Sequence, residues 1–149
     1  MNAWRAGQAP RMTSHERHKA AMVAASLAVV MCVAAVLRPD PRGYGTHQQL
    51  GLPPCAFMTL FGARCPTCGM TTAWTSLAHG DVERALRANV GGTALAGLGM
   101  LTMVWLVVVT VFGRWWPARP SGAAIVRAGL MIAGMTLVDW SIRLASQWL

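Results

Sequence analysis

Charge is what this chain has least of. Charged residues make up 12% of its 149, and only five of them are acids, whereas a soluble domain runs nearer a quarter charged. Catalytic signatures are missing too. There is no Ser/His/Asp set, no phosphate-cradling glycine loop and no nucleotide motif, so nothing points to nucleophilic hydrolysis or nucleotide chemistry. Internal repeats and low-complexity tracts are likewise absent. The formal charge is +8. In a soluble protein that imbalance would raise nucleic acid as a partner. Here the arginines flank apolar runs, so topology and the lipid bilayer are the expected reasons, and no nucleic-acid partner is expected.

The chain is rich instead in apolar residues, which reach 54% and come in blocks. The first block, Ala20–Leu37, has 18 residues and no charge; the second, Gly91–Phe112, has 22 and no charge. The third begins near Gly122 and is weaker, because it carries Arg127 and ends on Asp139. About 20 apolar residues cross the ~30 Å hydrocarbon core as a helix, and lipid forces such segments to satisfy their own backbone hydrogen bonds. A buried helix of a soluble protein would keep a polar face every 3.6 residues, and the second block keeps none. The fold class expected is therefore an all-α integral membrane protein with about three transmembrane helices. The spans fall near 20–37, 92–112 and 123–142 within a single membrane domain, 20–149, behind a basic cytoplasmic tail over 1–19. The cysteine-containing loop is 38–91, with short interfacial helices between helices 1 and 2. The first block is longer than a signal-peptide core and lacks a clear small-residue cleavage site, so an uncleaved anchor is expected.

Basic residues set the expected orientation. The tail carries Arg5, Arg11, Arg17 and Lys19 against Glu16 alone, and the link after the second span carries Arg114 and Arg119 with no acid. Both would be cytoplasmic, which places 38–90 and the C-terminus outside, although Arg38, Arg42, Arg64, Arg84 and Arg87 weaken the bias. Trp115 and Trp116, and Trp140 and Trp148, suit the headgroup zone, and Arg127 can snorkel toward the first pair. Asp139 and Arg143 stand four apart and can pair along one helix face, read here as interfacial solvation. With three spans, Asp139, Trp140 and Arg143 share a membrane face with the cysteine loop. Three spans without a midplane charge pair argue against a self-sufficient transporter.

The loop opens with Pro39, Pro41, Gly43, Gly45, Pro53 and Pro54, an extended or turn-rich stretch. Two apolar pieces, CAFMTLFG and MTTAWTSLAHG, are too short to span and suit the interface or a re-entrant hairpin. Asp81 is a good N-cap, with Glu83 in the first turn and Arg84 and Arg87 later, which predicts a short surface helix. Val82, Ala85, Leu86 and Asn89 share one face of it, and Gly91 and Gly92 end it. Gly92 and Ala96 form a small-xxx-small pair suited to close packing.

Of four cysteines, Cys32 lies in the first span and reads as a packing residue. Cys55, Cys65 and Cys68 cluster in the loop, the latter two as Cys65-Pro66-Thr67-Cys68-Gly69. Three readings stay open. A C-x-x-C turn is half of a zinc site; Gly69 lets the backbone turn toward the ion, Cys55 adds a third ligand, and His47, His79 or an open position completes it. Alternatively Cys65 and Cys68 do thiol–disulfide chemistry, their reactivity raised by the following helix, although no strand pattern of the usual redox scaffold is present. Or one disulfide staples the loop. His15 and His18 read as solvated residues of the tail.

The run CAFMTLFGARCPTCGMTTAW, with Gly80-Asp81 and a short helix ending at Asn89, resembles the small bacterial membrane proteins grouped as domain of unknown function 2752 (DUF2752). That family's pattern is a Cys, nine residues, then Cys-Pro-x-Cys-Gly-hydrophobic-Thr, a short apolar helix and Gly-Asp. Cys55, Cys65, Pro66, Cys68, Gly69, Thr71, Gly80, Asp81 and Asn89 match it, over roughly residues 50–110. Family members often carry Arg where this chain has Thr72, and Pro where it has Val90. The resemblance implies a multi-pass protein of the bacterial inner membrane and no particular reaction. The expectation is a non-enzymatic membrane module with a structural or zinc-binding cysteine element, its partner a membrane protein or a second copy. The alternative is a membrane thiol oxidoreductase or metal handler.

Overall fold

A computed structural model describes residues 9–148, with only the backbone for 147 and 148. Arg5 of the basic tail and the Trp148 side chain lie outside the described residues. Within them the protein is all-helical: α1 is Ser14–Val36, α2 Ala56–Phe61, α3 Met70–Ala78, α4 Val82–Ala88, α5 Val90–Phe112 and α6 Gly122–Trp148. A 3-10 turn, Thr46–Leu50, lies in the loop after α1. Three helices, α1, α5 and α6, are long and apolar enough to cross a membrane.

α1 starts before the apolar block because its polar first turn is capped. Thr13 and Glu16 form a reciprocal capping box, with the Glu16 N–H donating to Thr13 Oγ1 at 3.2 Å and the Thr13 N–H to Glu16 Oε2 at 3.0 Å. Such a box satisfies two open N–H groups. Arg17 and Lys19, expected in a tail, are therefore helical. Glu16 also pairs with Arg119 at 2.9 Å, and the Met12 N–H donates to Gly113 O at 2.9 Å. These contacts tie the segment before α1 to the α5–α6 link.

α1 and α5 pack directly. Ala20 and Ala24 of α1 meet Leu106 and Val109 of α5, with Trp105 and Trp115 alongside. Small residues let the backbones approach, which is how helices associate without a hydrophobic driving force between them. α6 packs on α5 through Gly91, where an added Cβ would collide with the Thr136 side chain. Gly91 and Gly92 thus lie in the first turn of α5, whereas the sequence places them as the end of the preceding helix. The N–H of Gly92 is received by the Asn89 cap, so the new helix starts at once. Gly91→Ala is expected to lower stability by roughly 1–3 kcal/mol through overpacking, measured as a lower thermal unfolding midpoint in detergent.

In the loop, α3 is the centre. Its polar face, Thr72, Thr75 and Ser76, is fully buried with Ala73, and it packs against α1, α4 and α5. α4 turns Ala85 and Ala88 onto Ala73 and Leu77. Val82 and Leu86, expected on the same face as Ala85, are exposed. Close contact with α3 admits alanine and excludes the larger side chains.

Candidate metal centre

Each cysteine of the cluster is placed by a different local device. Cys55 follows Pro53-Pro54 and sits at the N-cap of α2. Cys65 and Cys68 bracket a turn closed by the Cys68 N–H donating to Cys65 O at 3.0 Å. Gly69 then takes a left-handed φ of 86° and caps α3. A Cβ there would strike the Ala88 carbonyl oxygen and stand 2.7 Å from Gly43 O, so the position requires glycine twice over, by conformation and by space.

The turn is clamped from two spans. Asn89, completely buried at the start of α5, donates through Nδ2 to the carbonyls of Pro66 and Cys68, both at 3.1 Å. Its Oδ1 accepts the Gly92 N–H at 2.6 Å. From α6, Arg143 Nη1 donates to Cys68 O at 3.3 Å and Ala88 O at 3.2 Å. Arg143 pairs with Asp139 at 2.8 Å, their side chains only 16% and 18% exposed. Trp140 Nε1 donates to Arg64 O at 2.6 Å. The three α6 residues do share the loop's face, as the topology requires. The ion pair is docked into the loop, however, and is not the solvated interfacial pair expected from sequence.

Among the described residues all four cysteines are free thiols. The Sγ atoms of Cys55, Cys65 and Cys68 lie within 4.8 Å of one another. Cys68 is buried, and Cys55 and Cys65 half-buried. Burial, and then the neighbouring Cys65, push the Cys68 thiol up to about 11. Cys55 is held below its ordinary value, chiefly by the open Met58 backbone N–H at the start of α2, although no hydrogen bond of cap geometry forms. A thiolate at Cys68 is therefore costly unless a cation offsets it.

The thiols face a cavity of about 380 Å³ lined also by Gly45, His47, Thr67, Met70, Thr71 and Thr72. His47 points Nε2 at Pro53 O, 3.2 Å away. His79 lies at the far end of α3, its Nδ1 2.8 Å from Thr75 O, and is not brought to the thiols. Thr72, where the resemblance expects arginine, is fully buried and hydrogen-bonds Thr46 Oγ1 at 2.8 Å. Val90, where it expects proline, uses its N–H to reach Asp139 Oδ2 at 3.4 Å. Gly80 is left-handed and delivers Asp81, whose Oδ1 accepts the Arg84 N–H at 2.9 Å and caps α4. The clamping roles of Asn89 and Arg143 were not read from sequence. Asn directly before an apolar run is an N-cap signal; nothing local signals that Arg143 reaches a loop carbonyl.

Fold and site together define a protein with three membrane-length helices and a thiol cluster in the loop between the first two. The family described as "Protein of unknown function (DUF2752)" has a model that matches residues 55–105, about a third of the chain, and bears out the resemblance. No curated protein and no solved structure matches the chain.

Proposed function

We propose that this chain is a non-enzymatic membrane module that holds a zinc ion on Cys55, Cys65 and Cys68. The observation that carries the reading is the convergence of three thiols from two separate segments to within 4.8 Å. Zn–S bonds of ~2.3 Å in tetrahedral array require sulfurs about 3.8 Å apart, so a small contraction closes the site. Thiolate donors favour zinc and other soft ions over magnesium or calcium, and a dication relieves the cost of ionising buried Cys68. His47 on the cavity wall supplies the fourth ligand, or the position is left to a ligand from outside. Redox work by Cys65 and Cys68 has weaker support, because α3 begins only at Met70 and neither thiol caps it.

The resemblance and the basic flanks support an inner-membrane location with a cytoplasmic N-terminus, which puts the cluster outside. A reporter fused at Gly43 that proved cytoplasmic would reverse this. The lipid-facing sides of α6 suit a membrane-protein partner or a second copy.

Metal analysis with thiol titration of purified, non-reduced protein tests the site. One equivalent of zinc is expected, with three thiols protected until a chelator is added. Cys65→Ser and Cys68→Ser should each lose it. Metal-free protein with three freely alkylated thiols would sink the proposal. A Cys65–Cys68 disulfide that cycles with added thiol would transfer the site to redox chemistry, and an inert one to a staple.

A further inference from the structure

The loop's arginines are not used by the thiol site. Arg42, Arg64, Arg84 and Arg87 line a second cavity of about 450 Å³ with Asp81 and Glu83. Both of these carboxylates are engaged, Asp81 as the α4 cap and Glu83 in a pair with Arg87. Four guanidiniums against two carboxylates leave a formal surplus of +2 in the lining, or +1 if Asp40, paired with Arg42, is counted. Arg64 and Arg42 stack on Tyr44, 4.4 and 5.2 Å from the ring centroid. Stacking fixes both guanidinium planes. The Arg42 fork is taken by Asp40 at 3.0 and 2.8 Å, whereas the Arg64 N–H edge stays available. Arg84 and Arg64 reach the carbonyls of Pro39 and Arg42 only at 3.4 and 3.5 Å, contacts too long to hold them strongly.

The cavity also lies at a defined depth. Arg42 follows the end of α1 by six residues, and Arg87 and Ala88 stand directly before Asn89, the cap of α5. The Arg64 carbonyl is held by Trp140 of α6, a residue type that favours the headgroup zone. All three spans thus bring this arginine cluster to the rim of the membrane on the loop side. Guanidinium forks match phosphate oxygens in geometry as well as charge.

We propose that this cleft binds the phosphate of an anionic lipid headgroup. The thiol cavity shares none of its lining residues, so the inference is independent of the metal.

Native mass spectrometry of the full chain, released from neutral detergent with phosphatidylglycerol or phosphatidylcholine of the same acyl chains, tests it. Phosphatidylglycerol should be retained roughly five- to thirtyfold better, the scale expected for one to two surplus charges at a membrane surface. The double variant Arg64→Gln/Arg84→Gln should abolish the preference. Arg87→Gln, whose side chain is 78% exposed, should reduce it without disturbing the fold. Arg119→Gln, at the opposite membrane face, should leave it intact. Equal retention of both lipids, or a preference unchanged in the Arg64, Arg84 and Arg87 variants, would overturn the proposal. Millimolar inorganic phosphate that raises the thermal midpoint as much as phosphatidylglycerol does would assign the cleft to free phosphate and overturn the lipid assignment.

Discussion

Asn89→Ala is expected to destabilise the protein by about 3 kcal/mol and to open the Cys65–Cys68 turn. One buried side chain makes three hydrogen bonds there: two to the carbonyls of Pro66 and Cys68, one from the Gly92 N–H. Each is worth about 1 kcal/mol net, and more where its loss leaves a buried group unpaired. Losing an N-cap costs ~1 kcal/mol in its own right. The comparison with Asn89→Asp separates the two roles. Aspartate keeps the oxygen that accepts from Gly92, so the start of α5 survives. It replaces the Nδ2 donor with a second acceptor, which repels the two carbonyls. Both variants should therefore speed alkylation of Cys68 in metal-free protein, while Asn89→Ala alone should also strip the cap of α5. Hydrogen exchange across Gly91–Thr93 distinguishes them. Alkylation of Cys68 at the wild-type rate in both variants would show that Asn89 does not hold the turn.

The legible parts of the fold are those written in composition. The second span needs nothing but its uncharged run, and α5 ends at Phe112 as the run does. The first span starts six residues earlier than its apolar block. The hydrocarbon core limits where apolar residues are needed, not where a capped helix can begin, and Thr13 and Glu16 supply that cap. α4 was legible as a helix through Asp81, but its buried side was not. Periodicity groups Val82, Ala85, Leu86 and Asn89. Ala85 and Asn89 are indeed buried, but Val82 and Leu86 are exposed, and contact with α3 selects the small residues Ala85 and Ala88. At the site, the spacing of Cys65 and Cys68 and the nearby Cys55 announced a cluster, and the structure does bring all three together. His47 lines the same cavity and His79 does not. No spacing rule separates these two histidines, because the difference lies in the path of the 3-10 turn and the length of α3.

Least legible was the pair Asp139 and Arg143. An acid and an arginine four apart on an apolar helix look the same whether water or a loop surrounds them. Here Arg143 holds Cys68 O and Ala88 O, and Asp139 receives the Val90 N–H, so the pair joins α6 to the thiol turn and to the start of α5. Removing one partner of a largely buried pair costs ~3–5 kcal/mol, since the other charge is left without compensation. Arg143→Met is expected to fall in that range, with an earlier thermal midpoint and faster alkylation of Cys68. Asp139→Asn should cost less, because the amide oxygen still accepts from Val90 and the arginine keeps its two carbonyls. The double variant Arg143→Met/Asp139→Leu removes both charges. If charge compensation is the main cost, it should be more stable than Arg143→Met alone. Neither variant restores the Arg143 donor to Cys68 O and Ala88 O, which leaves Asn89 alone on Cys68 O, so Cys68 should stay accessible even as stability recovers. That separation of stability from thiol exposure is the result that marks Arg143 as a clamp on the turn. A double variant in which Cys68 regains its protection would assign the effect to α6 stability alone.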